Sequence, residues 1–421
     1  MHINNRMTRR GLLAGSAAAM AVGGGALLLG SRPAHADVGT PKNLIIVNAV
    51  GGWDTTYTID PKPGLSTIDA PSDGTVREIG GIPILDAASR PSVAAYFEDF
   101  ASITTVVNGL QTSSISHTAG YRRIMTGTSS LDAPDIGTIT AVEHGSDLAA
   151  PYMVLGTVSF SGPYASAVTR TGNLNQINTL LEPAAGFPME DGTFGFERFL
   201  MFDEEQALVQ DYVREQAQRG RERWQGLGRN AQRGADFENA IGRAEQLVDI
   251  GGLGDLDYAQ SFGLQVDLAI QALSLGTSAA CQIELGGWDT HANNSEQVIY
   301  WEQLFSELRR LIQGLEAAGL MEETVVAVVS EMGRTPKLNG DAGKDHWPVT
   351  SAMLIGTDIG GGRVLGGTSD EFGGRNVDLE TGELDGGGSP LRHGNFAAGV
   401  LEEVGVDPTA YLGTSTALRG F

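Results

Sequence analysis

Cysteine is nearly absent from this 421-residue chain. Cys281 stands alone, which excludes an internal disulfide in any compartment. It lies within the apolar run 279–285 and reads as a buried, inert thiol. Basic residues are also scarce: 28 Lys and Arg face 51 Asp and Glu, for a net charge of -23 and a pI near 4.6. A nucleic-acid partner is therefore not expected, because binding a phosphate backbone needs a basic footprint. Charged residues make up 19% and hydrophobic residues 41% of the chain, the balance of a globular protein with a sizeable core.

Acid is missing altogether from residues 1–36, which hold Arg6, Arg9, Arg10 and Arg32. A basic start, an uncharged small and apolar run from Gly11 to Gly30, and Ala34-His35-Ala36 as a cleavage triplet form the pattern of a signal peptide. Within it, Thr8-Arg9-Arg10-Gly11-Leu12-Leu13 resembles the twin-arginine motif, which implies the twin-arginine translocase as a partner and a periplasmic or secreted product. A membrane anchor is the competing reading of an uncharged run of this length, but cleavage before Asp37 would leave no stable membrane span. Residues 37–421 then form a single α/β domain.

Apolar runs recur along that domain at Leu44–Val47, Ile103–Val107, Tyr152–Leu155, Ala280–Leu285, Thr324–Val329 and Ala352–Ile355. Their near-continuous apolarity fits strands buried on both faces. Between them, apolar residues repeat at helical spacing over Phe262–Leu273 and Trp301–Leu315, with Asn294 and Gln297 placed as a capping box for the second helix. The alternation predicts a doubly wound, mostly parallel sheet with helices on both faces. Residues 203–250, dense in Glu, Gln and Arg, read as a helical insertion, either a lid or a solvated spacer.

The pentapeptide Gly-Gly-Trp-Asp-Thr occurs twice, at 51–55 and 286–290, each time directly after an apolar run. Ligands of a parallel sheet bind beyond the carboxyl ends of its strands, so Asp54 and Asp289 are expected to share a crevice. The second copy continues to His291. The run 324–329 continues into Ser330-Glu331-Met332-Gly333-Arg334-Thr335-Pro336, followed by Lys344-Asp345-His346-Trp347. Carboxylates and imidazoles converging without a thiolate suit one or two divalent ions, Zn or Mn. His144 and His393 have no such company and read as ordinary hydrogen-bonding residues.

These motifs, Trp288-Asp289-Thr290-His291, Ser330 to Pro336 and Asp345-His346-Trp347 behind a twin-arginine leader, resemble the domain of unknown function 1501 family over roughly Lys42 to Asp407. That family in turn resembles the alkaline phosphatase and sulfatase superfamily. The resemblance implies an alkaline-phosphatase-like fold, Asp289, His291 and His346 at one metal, and Asp54 with Glu331 at a second, weaker place. It also implies a nucleophile at a helix start nine residues before Thr126-Gly127, which falls on His117, flanked by the hydroxyls of Ser116 and Thr118. His117 stands open as a metal ligand, a covalent phosphate acceptor or a mark of lost chemistry. Arg122, Arg123 and Arg334 are candidates to grip an anionic ester. The leading expectation is an exported metal-dependent hydrolase of phosphate or sulfate esters. The alternative is a non-catalytic metal-stabilised binding or surface-assembly protein on the same fold, with a cell-surface component in place of a small anionic ester.

Overall fold

The computed structural model describes residues 40–170, 203–249, 261–413 and 415–421. The expected leader and its cleavage site lie outside the described residues. Eight strands form the central sheet. From one edge to the other they are Arg363–Gly366, Thr104–Gln111, Val349–Ile355, Thr324–Val329, Asn43–Ala49, Ala280–Leu285, Tyr152–Val154 and Val168–Arg170. Only Val349–Ile355 runs against the others; the rest are parallel. All six apolar runs became strands of this sheet, as a two-sided apolar environment requires.

Alternate residues of Asn43–Ala49 enter two cores. Ile45 and Val47 pack beneath helices Pro91–Phe100, Phe262–Ser274 and Gln297–Ala317, whereas Leu44 and Ile46 face helices His117–Thr126, Ile136–His144 and His393–Glu403. The fold is therefore α/β with helices on both faces. Cys281 is fully buried in its strand, and burial pushes its thiol up to about 12, which keeps it protonated and unreactive. His144 bonds the Val404 carbonyl at 2.8 Å and His393 faces that of Gln111 at 3.3 Å, the ordinary roles expected of them.

Helices Asp203–Trp224 and Arg229–Asp249 occupy the polar stretch. They are laced by ion pairs such as Glu215 with Arg219, one helical turn apart at 2.6 Å, and Arg221 with Glu238 across the two helices. Among the described residues no helix is long and apolar enough to cross a membrane.

One local expectation fails. Asn294 and Gln297 do not form a capping box: Asn294 opens a short 3₁₀ turn, and its amide donates to Asp54 Oδ2 at 2.9 Å. Gln297 turns inward, where its Nε2 donates to Trp288 O at 3.0 Å and Gly52 O at 3.2 Å while its Oε1 accepts from Asp54 N at 2.6 Å. Tertiary bonds to the two pentapeptide loops prevail over local capping. The sequence signal of a cap is real in type, but its polar groups are claimed by buried backbone that has no other partner.

Candidate metal centre

Five adjacent strands bring the site together at one edge of the sheet. The segments after Thr104–Gln111, Thr324–Val329, Asn43–Ala49 and Ala280–Leu285 meet there with the segment that enters the antiparallel strand Val349–Ile355. Two glycines set the close approaches. Gly51 has φ +126°, and a Cβ there would fall 2.5 Å from Asp289 N, so the two pentapeptide loops touch backbone to backbone. A Cβ on Gly120 would lie 2.6 Å from Glu331 O, so only a glycine lets helix His117–Thr126 settle against the Glu331 segment. The tryptophans of the repeat are buried and meet Trp301: Trp53 stacks on it at 5.0 Å and Trp288 meets it edge-on at 5.0 Å. They anchor the loops that carry the aspartates.

Three imidazoles each have one ring nitrogen committed to an acceptor. His117 Nδ1 donates to Glu331 Oε1 at 2.7 Å, His291 Nδ1 to Asp345 Oδ1 at 3.0 Å, and His346 Nδ1 to the Ile115 carbonyl at 2.7 Å. Carboxylate and carbonyl oxygens only accept, so each proton sits on Nδ1 and the neutral ring turns a lone pair outward from Nε2. Those lone pairs converge on Asp289. His346 Nε2 is 3.1 Å and His291 Nε2 3.2 Å from Oδ1, and His117 Nε2 is 3.4 Å from Oδ2. His291 Nε2 and His346 Nε2 face each other at 2.9 Å. The donor atoms of His117, Asp289 and His346 all lie within 4.8 Å of one another; His291 stands outside that group, on the side of Asp289 Oδ1 and His346.

This geometry fits a metal ion. Three Nε2 lone pairs and both Asp289 oxygens face inward, and the one charged donor on them, Arg334 Nη2, reaches only Oδ1. A cation among the lone pairs would relieve their repulsion, and ligands of one tetrahedral ion at about 2.0–2.1 Å stand roughly 3.3 Å apart. The residues have the nitrogen and oxygen donors that suit Zn or Mn. Each histidine also has the hydrogen-bonded second partner that ligating histidines usually show.

The other expected residues take different places. Glu331 is fully buried and shares Oε1 between His117 and Gly51 N, the latter at 2.9 Å, while Oε2 accepts from Ser330 at 3.2 Å. It orients His117 rather than facing the converging lone pairs. Asp54 stands apart from them: its fully buried carboxylate meets Lys344 Nζ at 2.7 Å and accepts from Thr56 Oγ1 at 2.7 Å. The expected pairing of Asp54 with Glu331 at a second metal does not form, because both carboxylates are already claimed by donors.

Arg334 is fully buried and closed to a substrate. Its Nε donates to Gly52 O at 2.8 Å, Nη1 to Lys344 O at 2.9 Å, and Nη2 to Gly51 O and to Asp289 Oδ1, the last at 2.5 Å. It ties three site loops together instead of gripping an ester. Burial alone would raise the Asp289 carboxyl, but the hydrogen bond and charge of the Arg334 guanidinium outweigh it and hold it at about 2 in the metal-free protein. The hydrogen bond to Glu331 raises His117 above its ordinary value.

Arg122 bonds the Leu131 carbonyl at 3.0 Å and lies over Phe160, and Arg123 bonds the Thr112 carbonyl at 3.0 Å. Both fix loops. Ser116 is the exposed N-cap of helix His117–Thr126, its side chain makes no capping bond, and neither it nor Thr118 takes part in the converging contacts described above. Lys344 and Gln297 carry no sequence signal of a place in the site, whereas Asp345 stands directly before His346 in the sequence.

Residues 259–415 match the model of the family described as protein of unknown function, DUF1501. The matched segment carries Asp289, His291, Glu331, Arg334 and His346, and it is shorter than the expected span, leaving out Asp54 and His117. No curated protein matches the chain. Among solved structures it is similar to a protein in the alkaline phosphatase superfamily from Vibrio parahaemolyticus, at 9% identity over 87% of this chain and 67% of that one, with a TM-score of 0.37. It is also similar to the lipoteichoic acid synthase LtaP from Listeria monocytogenes, at 12% identity over 91% and 75% of the two chains and a TM-score of 0.37. The phosphonate monoester hydrolase from Silicibacter pomeroyi gives 12% identity over 90% and 76%, with a TM-score of 0.35.

Proposed function

We propose that the protein is an exported metal-dependent hydrolase of phosphate or sulfate esters, with the ion held by Asp289, His291, His346 and His117. The observation that carries the reading is the set of three imidazoles whose Nδ1 atoms are all committed to acceptors while their Nε2 atoms face one carboxylate. A divalent ion in that place supplies Lewis-acid polarisation of an ester oxygen and acidifies water. The chain's own part is orientation. Glu331 and Asp345 hold protons at Nδ1 of His117 and His291, Ile115 does so for His346, and Arg334 fixes Asp289 from behind. His117 Nδ1 is committed to Glu331, and its Nε2 faces the Asp289 carboxylate at 3.4 Å, a neighbour with which it would share an ion, which favours its role as a ligand over that of a nucleophile. The first turn of helix His117–Thr126 opens beside the centre with no acidic residue in it, a setting that suits an anionic ester. The ester class itself rests on the sequence resemblance.

One observation favours the second reading, a metal-stabilised binding or surface-assembly protein. Arg334 is fully buried and committed to Gly51, Gly52, Lys344 and Asp289, and Arg122 and Arg123 each spend Nη1 on loop carbonyls, which weakens the case for a guanidinium grip on the ester. A single experiment separates the readings. The chain is expressed with its own N-terminus, recovered outside the cytoplasm, analysed for metal, and assayed on aryl phosphate and aryl sulfate esters beside His291→Ala and His346→Ala. Bound metal with turnover, both lost in the variants, is the expected result. Metal without turnover in any form supports the binding protein, full metal content in both variants removes these residues from the centre, and retention in the cytoplasm refutes export.

A further inference from the structure

Two identical pentapeptides on neighbouring parallel strands place two aspartates at the same edge of the sheet, yet the surroundings of the two carboxylates differ. Asp289 faces the lone pairs of three imidazoles. Asp54 faces only donors. Its Oδ1 accepts from Thr56 Oγ1 at 2.7 Å and Thr56 N at 3.2 Å, and its Oδ2 accepts from Asn294 Nδ2 at 2.9 Å and meets the Lys344 ammonium at 2.7 Å. Asn294 turns its oxygen away, toward the Thr290 hydroxyl at 2.8 Å. A metal at Asp54 would need further lone-pair donors, and the groups around this carboxylate present hydrogens instead.

From this we infer that the Lys344 ammonium is a built-in cation that takes the place of a second ion, so that the centre holds one metal per chain. The inference rests on the metal reading above for the ion at Asp289. Both side chains of the pair are fully buried, so the charge of Asp54 is met inside the protein with no solvent to share it. One tripeptide serves both halves of the repeat. Lys344 supplies the fixed cation to Asp54, Asp345 orients His291, and His346 offers its Nε2 to Asp289. Gln297 couples the halves by accepting from Asp54 N at 2.6 Å and donating to Trp288 O at 3.0 Å. The position of Lys344 is itself held by backbone: its N–H donates to Thr290 O at 3.1 Å, and its carbonyl accepts from Arg334 at 2.9 Å.

The test begins with the unaltered protein, stripped by chelator and titrated with Zn or Mn. Saturation at one ion per chain, abolished by His291→Ala and unchanged in Asp54→Asn, is the expected result. A second ion that Asp54→Asn removes and His291→Ala leaves in place would overturn the inference. Absence of any bound ion would instead refute the hydrolase reading, and the Lys344 assignment would then be decided by Lys344→Ala. That variant should show a lowered Tm that ethylammonium chloride restores in part and an equal concentration of sodium chloride does not. A Lys344→Ala protein as stable as the parent without any added amine would overturn the role of Lys344 as a fixed cation.

Discussion

Asp54 and Asp289 end the same four-residue lead, Gly-Gly-Trp-Asp, on adjacent strands, but the first carboxylate is fully buried against Lys344 at 2.7 Å and the second is 47% exposed before three imidazoles. Shared sequence therefore produces a shared backbone path and two different electrostatic roles. What separates them is the neighbouring chain: Asn294 and Lys344 close over Asp54, while His291 and His346 open around Asp289.

Substituting each aspartate by asparagine should separate the roles. Asp54→Asn leaves the Lys344 ammonium buried without a counter-charge, and breaking such a pair typically costs about 3–5 kcal/mol. Asp289→Asn keeps an oxygen for Arg334 but removes its counter-charge; because this carboxylate is half-exposed, the loss in the presence of chelator should be smaller than for Asp54→Asn, and metal binding should be abolished. Urea unfolding of both chelated variants, followed by metal titration, checks the pattern. Equal stability losses in the two variants would contradict it.

Glu331 gives a second contrast. Because it holds the proton on His117 Nδ1 at 2.7 Å, Glu331→Gln should leave the ligand set in place yet weaken metal binding by roughly 10- to 100-fold, the usual effect of losing a carboxylate behind a ligating histidine. Competition with a chelator of known affinity measures this directly. An unchanged affinity would mean that Glu331 serves only to bind Gly51 N and Ser330.

The sheet was legible in the sequence because strands buried on both faces must be apolar throughout, and that pattern survives without tertiary information. Helix Gln297–Ala317 was legible by its spacing from Trp301 to Leu315. The convergence of Asp289, His291 and His346 was legible too, since each follows or precedes a recognisable strand. The assignments of Asp54, Glu331 and Arg334 were not, because a carboxylate beside a metal and one beside a buried ammonium look alike in sequence. Lys344 lies 290 positions from Asp54 and directly precedes the Asp345-His346 pair. Nothing local marks its side chain as turning inward, so only the folded arrangement distinguishes a fixed cation from a solvated lysine.

The pH dependence of stability should change sign when metal is added. In the metal-free protein, His117 is raised by its hydrogen bond to Glu331, so its contribution is fully present below the ordinary imidazole value and is lost as pH rises through the raised one. Asp289, held at about 2 against an ordinary 3.8, contributes above its ordinary value and loses that contribution as pH falls toward about 2. The two together place the metal-free site's best window between about pH 4 and 6.5. Metal binding runs the other way through the histidine range, because the three Nε2 atoms must be unprotonated to coordinate. The Tm difference between metal-loaded and chelated protein should therefore widen as pH rises from about 5 to 8. Thermal melts across that range, with and without chelator, check it. In His117→Gln the metal-free decline above the imidazole range should disappear, and a Tm difference that stays constant or narrows with rising pH would contradict imidazole coordination.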